Sequence, residues 1–124
     1  MAKAILVADD DPAVLEVVVE HYRKLGYRVH AAPDGLQLGI MAGNLRPDLI
    51  ISDLVMPAAG GDKAFVRLRS SDLTRSIPVV FLTGMPMDKA RDMAPKGPGV
   101  VLLHKMDALF QKLDAAVVSL LGPP

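Results

Sequence analysis

Polar side chains that could take part in chemistry lie at or just after the ends of the apolar segments of this 124-residue chain. Each apolar segment is short and continuous, as is typical of strands buried on both faces of a parallel sheet. The polar residues at the ends of four such segments are Asp9 and Asp10, Asp53, Thr83, and Lys105. The carboxyl ends of parallel strands meet at one edge of a sheet, where open α/β folds place their ligands. We therefore expect these side chains to converge, with Asp53 as the first candidate.

The types of these residues indicate a metal and a phosphoryl group. The carboxylates of Asp9, Asp10 and Asp53 repel one another unless a cation or protons compensate. Oxygen ligands with no histidine or cysteine nearby favour a hard ion such as Mg2+. Lys105 adds a fixed positive charge and Thr83 adds a hydroxyl donor, which suit the oxygens of a phosphoryl group during transfer. Asp53 can itself be the nucleophile and form an aspartyl phosphate.

Strands and helices that alternate along the chain are predicted to position these residues. Helix starts are indicated by Asp11 before Pro12 and by Asp107, and a stop by Gly26. The predicted strands cover residues 4–8, 27–31, 49–51, 78–82 and 100–103, with helices between and after them. This order predicts an α/β, flavodoxin-like fold, a doubly wound five-stranded parallel sheet in the order 2-1-3-4-5 with helices on both faces.

Apolar spacing predicts which helix faces are buried. The first helix is expected to turn Val14, Leu15, Val18, Tyr22 and Leu25 inward. Alternation in residues 27–31 predicts an edge strand, with Tyr27, Val29 and Ala31 on one face. A turn is expected after Asp53, opened by Pro57 and closed by Gly60 and Gly61. No linker or repeat divides the chain, so residues 1–124 are interpreted as a single domain.

Composition narrows the classes of function. Hydrophobic residues make up 51% of the chain, enough for a core, and there is no cysteine for a disulfide or a thiolate metal site. The 14 basic and 14 acidic residues cancel, and aromatic residues are only 4%. Nucleic-acid binding by this domain alone is therefore not expected. The apolar runs are shorter than a membrane span, and the chain is expected in the cytoplasm.

With these residues in this order, the chain resembles the receiver domain of two-component response regulators, of the single-domain chemotaxis type. The motifs that carry the resemblance are residues 5–12, 53–57 with Gly60-Gly61, Thr83-Gly84, and Lys105. The resemblance implies a phosphoprotein that catalyses only its own phosphorylation and dephosphorylation, so it is not counted as an enzyme. Asp53 would accept the phosphoryl group from a sensor histidine kinase or a histidine phosphotransfer protein. The signal would then pass to a downstream protein target or output domain.

The resemblance also implies roles for the neighbouring residues. Mg2+ would be bound by Asp10, Asp53 and the backbone carbonyl of Val55, with Asp9 acting mainly through water. Thr83 would move to bond the phosphoryl group, and Lys105 would pair with it. Side chains at the positions of Val55 and Met85 border the path of the hydrolytic water in the family. Both are apolar here, so a long-lived aspartyl phosphate is expected.

Three departures from the family pattern lie on the face that receivers commonly use for output. Met106 replaces the proline that usually follows the lysine, and Leu102 replaces the switch aromatic of the fifth strand. The fourth helix is shortened by Pro95 and followed by Pro98. A cis bond before a non-proline residue costs about 3 kcal/mol more than trans, so a different loop is expected after Lys105. Thr83, Leu102 and Met106 remain the candidate switch residues.

Three other interpretations of the residues stay open. A degenerate receiver would bind proteins whatever its phosphorylation state, which the altered output face favours and the acids oppose. A haloacid-dehalogenase-like hydrolase would use the spacing of Asp9 and Asp11 after the first strand, although Pro12 and the missing cap domain oppose it. A flavodoxin-like cofactor binder shares the fold class, yet no Ser-, Thr- or Gly-rich phosphate loop follows the first strand.

Overall fold

The structure, a computed structural model, describes residues 2–56, 61–106 and 109–124. In this part of the chain, strands and helices alternate as predicted. The strands are β1 (Ala4–Ala8), β2 (Arg28–Ala32), β3 (Leu49–Asp53), β4 (Val79–Thr83) and β5 (Val100–His104). The helices are α1 (Pro12–Lys24), α2 (Gly35–Leu45), α3 (Gly61–Arg69), α4 (Met87–Met93) and α5 (Leu109–Leu121).

The strands form one parallel sheet in the order β2-β1-β3-β4-β5, which confirms the predicted doubly wound fold. Every residue of β1, β3 and β4 is buried, because these strands lie inside the sheet and are covered on both faces. In β5, at one edge, every residue is only half-buried. Three of the continuous apolar runs are therefore the central strands, whereas the fifth run forms the edge strand β5.

Two apolar layers cover the sheet. One face, which carries Leu6, Ile50 and Phe81, packs against buried residues of α2, α3 and α4. The other face, which carries Ile51 and Val80, packs against buried residues of α1 and α5. In the described parts of the chain, no helix combines the length and the apolar character needed to span a bilayer.

The ends of α1 follow the predicted rules, but its buried face is shifted. The Asp11 carboxylate accepts a hydrogen bond from the Ala13 N–H at 3.0 Å, and Gly26 has the positive φ (102°) of a residue that ends a helix. The prediction that Leu25 packs inward is wrong, since it is 49% exposed. Leu25 lies beyond the last helical residue, so it leaves the helical spacing, and Val19 is buried instead.

The edge strand β2 follows the predicted alternation only in part. Val29 and Tyr27 are buried as expected, whereas Ala31 is exposed and Ala32 is buried. The alternation of β2 therefore breaks in its last two residues. The turn residues Pro57 and Gly60 and the helix cap assigned to Asp107 lie outside the described residues.

Candidate functional site

The carboxyl edge of the sheet brings the predicted site residues together. Asp53 and Thr83 are the last residues of β3 and β4, while Asp9 and Lys105 directly follow β1 and β5. The Lys105 N–H donates a hydrogen bond to the Thr83 carbonyl at 2.8 Å, which continues the ladder between β4 and β5 past its last pair. Residues far apart in sequence therefore meet because their strands are neighbours and end at the same level.

The three acids form a cluster of oxygen atoms. Asp9, Asp10 and Asp53 each offer one carboxylate oxygen, and these atoms lie within 4.8 Å of one another. Asp9 and Asp53 are 2% and 8% exposed, and Asp10 is exposed. The buried Oδ2 atom of Asp9 lies 2.8 Å from the Lys105 ammonium nitrogen and has no other hydrogen-bond partner among the described residues. A buried carboxylate oxygen with spare capacity in an all-oxygen cluster fits a hard divalent cation.

Lys105 is the cation that faces these acids. Its Nζ atom lies 2.8 Å from Oδ2 of Asp9 and 3.2 Å from Oδ2 of Asp53. Burial alone lowers the pKa of Lys105, but contact with Asp9 and the charges of Asp53 and Asp9 outweigh it and hold the pKa above its ordinary value. The ammonium group therefore stays charged at neutral pH and neutralises part of the acid cluster.

Asp53 is less acidic than a solvated aspartate. Burial raises the pKa of Asp53, and the charge of Asp9 raises it further, whereas Lys105 and the hydrogen bond from the Val55 N–H act in the opposite direction. The net effect is a raised pKa. The carboxylate is thus held in an environment that disfavours its charge. Perturbed pKa values of this kind are common at functional sites.

Four strand ends share a local hydrogen bond that the sequence did not reveal. In each, the side chain at the strand end accepts the N–H of the residue two positions later. The pairs are Asp9 with Asp11 (2.9 Å), Asp53 with Val55 (3.5 Å), Thr83 with Met85 (3.0 Å) and His104 with Met106 (3.1 Å). His104 is the last residue of the edge strand β5, and its imidazole takes part in the same arrangement as the site residues.

The candidate switch positions differ in burial. Thr83 is 1% exposed, Leu102 is half-buried against the core, and Met106 is 84% exposed. The described residues contain no cis peptide bond, so Lys105 and Met106 are joined in trans, in line with the cost of cis before a non-proline residue. The backbone at Met106 is instead held by the contact with His104.

A second polar cluster joins α1 to α5, away from the acids. The Asp114 carboxylate accepts a hydrogen bond from the buried Tyr22 hydroxyl at 2.8 Å and lies 2.9 Å from Nε2 of His21. The ring of Phe110 stacks on His21 at 4.0 Å. Burial and the bond to Asp114 raise the pKa of Tyr22 far above its ordinary value, so its hydroxyl remains a donor. Sequence spacing gave no sign of this pairing, because it joins two helices at opposite ends of the chain.

A doubly wound sheet that ends in clustered acids, a hydroxyl and a lysine defines the class of phosphoacceptor signalling domains. The family model for the response regulator receiver domain matches residues 5–114. The chain therefore belongs to the receiver domain family of two-component systems, whose members are signalling switches rather than classical enzymes. This membership replaces the hydrolase and the cofactor binder considered from the residues alone.

Curated relatives are longer proteins. The chain is 41% identical over 81 residues to the DNA-binding dual master transcriptional regulator RpaA of Synechocystis, a match that covers 65% of this chain and 34% of RpaA. The chain spans less than half of the length of the first curated relatives that it matches. The DNA binding named for RpaA is a property of that longer protein.

Two solved structures carry the structural likeness. The signal receiver domain of an HD-domain protein from Pseudomonas fluorescens Pf-5 superposes with a TM-score of 0.85 over 98% of this chain and 95% of its own, at 24% identity, and shows the shared fold. The receiver domain of the sensor histidine kinase PA1611 from Pseudomonas aeruginosa PAO1 is 25% identical, with a TM-score of 0.78 over 94% of this chain and 96% of its own. In PA1611 a magnesium ion is coordinated in the active-site cleft.

Proposed function

We propose that Asp53 accepts a phosphoryl group from a phosphohistidine of a sensor histidine kinase or a histidine phosphotransfer protein. The observation that carries this proposal is the position of Asp53, buried at the end of β3 and 3.2 Å from the Lys105 ammonium group. Asp9 also contacts the cation, but it follows its strand, whereas Asp53 is itself the last residue of the central strand β3. A nucleophile, a metal-ligating set and a fixed charge are thus available at one point.

The transfer is a substitution at phosphorus. A carboxylate oxygen of Asp53 forms the new bond to phosphorus, while the bond from phosphorus to the histidine nitrogen breaks and its electron pair stays on the imidazole. Lys105 remains charged and pairs with the phosphoryl oxygens as it now pairs with Asp53. The Thr83 hydroxyl, which accepts the Met85 N–H, still has its own proton to donate to the phosphoryl group.

The acid cluster suits Mg2+, the ion proposed for this step. Asp10, Asp53 and the backbone carbonyl of Val55 would hold it, with Asp9 acting mainly through water. When bound, the ion neutralises charge on the phosphoryl oxygens during transfer. Asp9 also has a role that needs no ion, because its contact with Nζ of Lys105 at 2.8 Å holds that side chain toward Asp53.

The response to phosphorylation is assigned to Thr83, Leu102 and Met106. Thr83 would move toward the phosphoryl group, and Leu102, which is half-buried against the same face of the sheet, would change its packing in response. Met106 lies at the surface next to Lys105 and would report the change to a downstream protein or an output domain. We further propose that residues 1–124 act as a single receiver domain in the cytoplasm.

Labelling with a small phosphodonor tests the proposed function. Incubation with acetyl phosphate and Mg2+ is expected to add one phosphoryl group, seen by mass spectrometry, and Asp53→Asn is expected to abolish this addition. Asp11→Asn is the matched control, because the asparagine still caps α1 and the residue lies outside the acid cluster. Absence of labelling in the wild-type protein, together with absence of Mg2+ binding, would contradict the proposal.

The proposed switch is read separately, from amide NMR shifts with a beryllofluoride mimic. Shifts that reach Leu102 and Met106 would support coupling to the output face. Shifts confined to the strand ends would leave a domain that is phosphorylated without that response.

The residues beside the phosphoryl group predict a slow loss of phosphate. Val55 is 49% exposed and Met85 is partly buried, and neither side chain can orient a water molecule for attack on phosphorus. The labelled protein is therefore expected to persist for far longer than seconds. Val55→Asn, which supplies a polar group, should shorten the lifetime severalfold, whereas Val55→Leu should leave it unchanged. Decay of the wild-type label within seconds would contradict this prediction.

A further inference from the structure

The imidazole of His104 holds the backbone that follows Lys105. Its Nδ1 atom lies 3.1 Å from the backbone nitrogen of Met106 and accepts that N–H. An imidazole nitrogen accepts a hydrogen bond only when it carries no proton, so this contact requires neutral His104 with its proton on Nε2. His104 is the last residue of β5 and is half-buried, so the sheet fixes the backbone from which its ring projects.

Lys105 is thereby fixed from both sides. The N–H of Lys105 itself donates to the Thr83 carbonyl at 2.8 Å, and the next N–H, that of Met106, donates to His104. Between these two bonds, the Lys105 side chain leaves toward the acids and places Nζ within 3.2 Å of both Asp9 and Asp53. Loss of the second bond frees the peptide after Lys105 and lets its long side chain sample other directions.

The need for such a partner follows from the residue at position 106. A proline there would have no N–H and a fixed φ, so the chain after the lysine would need no acceptor. Met106 has an N–H and an unrestricted φ, and its side chain is 84% exposed and cannot hold the loop by packing. The N–H at this point must be bound by water or by a protein group, and the structure supplies the imidazole.

We propose that His104 is a positioning residue for phosphoryl transfer, acting through the backbone of Met106 to hold the Lys105 ammonium group beside Asp53. The inference rests on the proposed function of Asp53 and adds a residue to it. His104 contacts neither the acids nor the phosphoryl group in this role. What it contributes is an acceptor atom, so the role passes to any side chain that places an acceptor at the same point.

Substitutions of His104 separate the acceptor from the rest of the ring. His104→Leu places an apolar side chain of similar size on β5 and removes the acceptor atom. In His104→Asn, the side-chain oxygen can accept the N–H two residues ahead. With acetyl phosphate, the labelling rate constant of His104→Leu at saturating Mg2+ is expected to fall about two- to tenfold, the range that one net hydrogen bond gives. The Mg2+ affinity is expected to stay unchanged, and His104→Asn should recover the wild-type rate.

A double-mutant cycle then tests the route through Met106. Met106→Pro removes the N–H donor, so the same His104→Leu change in that background is expected to have no further effect on the rate. The imidazole 15N shifts provide a readout without phosphorylation, since the wild-type protein should show the Nε2–H tautomer and Met106→Pro should lose the hydrogen-bonded signature of Nδ1. Circular dichroism and thermal unfolding show whether each variant is folded.

Each result supports or overturns the inference. Equal rates for wild type and His104→Leu, or equally slow rates for the Leu and Asn variants, overturn the positioning role while leaving Asp53 as the acceptor. An undiminished effect of His104→Leu in the Met106→Pro background also overturns it. A wild-type protein that takes no label at all overturns the proposed function instead, so the two failures are distinguishable.

Discussion

β3 and β5 run parallel in one sheet, with only β4 between them, yet they are packed very differently. All residues of β3 are buried, and it ends in Asp53. All residues of β5 are half-buried, and it leads through Lys105 to Met106, which is 84% exposed. The site thus takes Asp53, the proposed phosphoryl acceptor, from a fully buried strand and takes its cation from the end of a half-buried edge strand.

The difference indicates how one small domain can combine fixed chemistry with movement. A carboxylate on an enclosed strand cannot shift without disturbing two apolar layers, so its position is set by the core. A lysine that follows an edge strand depends on a few backbone bonds for its position, and the structure shows two of them, to Thr83 and within the segment from His104 to Met106. We therefore expect the position of Lys105 to be easier to alter than that of Asp53.

The largest expected effect tests whether this edge supports the acids of the central strands. Lys105→Met removes the cation and leaves the Asp9 and Asp53 carboxylates facing each other with little solvent, so the free energy of unfolding at pH 7 should fall by about 3 kcal/mol. Mg2+ should recover part of this loss, because an ion that binds only the folded state stabilises it. Urea unfolding with and without Mg2+ measures both effects.

The control for this substitution is Lys89→Met, on an exposed position of α4, which should change stability by no more than about 0.5 kcal/mol. Equal stabilities for the Lys105 and Lys89 variants would mean that the ion pairs with Asp9 and Asp53 contribute nothing. The two regions would then be independent of each other.

A matched pair of leucines tests the packing difference directly. Leu82 and Leu103 are register partners on β4 and β5, and they face the same apolar layer. Leu82 is 2% exposed, so Leu82→Ala should destabilise the protein by about 3 kcal/mol, within the range for buried leucines. Leu103 is half-buried, and Leu103→Ala should cost about half as much. Denaturant titrations of both variants measure the difference, and equal losses would show that β5 is as enclosed as β4.

A smaller effect concerns the charge of Asp53. Burial raises the pKa of Asp53 in the folded protein above its ordinary value, so the folded state binds the proton more tightly than the unfolded state does. Stability therefore falls as the pH rises through the two pKa values. Asp53→Asn should therefore stabilise the protein at pH 7, because the asparagine carries no charge to be buried. The gain should shrink as the pH falls through the raised pKa of Asp53, because the wild-type carboxyl group then becomes neutral as well. Unfolding curves across this pH range, without Mg2+, measure it.

Asp72→Asn serves as the comparison for that titration. Asp72 pairs with Arg75 at the surface and its side chain is 88% exposed, so the substitution should alter stability by less than about 1 kcal/mol at any pH. A gain for Asp53→Asn that stays constant with pH would show that the effect is not one of charge.

The fold and the acid site were predictable because their signals are local. Parallel strands inside a sheet appear as short continuous apolar runs, and the carboxyl end of each run is readable from the residue that follows it. Asp9, Asp53, Thr83 and Lys105 met at one edge as expected, since the fold class alone fixes which strand ends are shared. The positions assigned to Asp10 and Leu102 as ligand and switch remain predictions.

Other features depend on geometry that no local pattern records. The burial of Val19 in place of Leu25 depends on where α1 stops, a matter of one or two residues. The contact between Tyr22 and Asp114 depends on the way that two helices cross. His104 could have been noticed from one signal, an acceptor side chain placed two residues before a position where an N–H replaces the family's proline.

The contact between Tyr22 and Asp114 spans 92 residues, and this separation has a consequence for folding during synthesis. The apolar layer formed with α2, α3 and α4 has all its members once the ribosome has released the chain through Leu102. The layer formed with α1 and α5 cannot be completed until Leu113 and Val117 have also left the ribosome. On a slowly translated message, we expect the nascent domain to pause with one face of its sheet covered and the other open to chaperones.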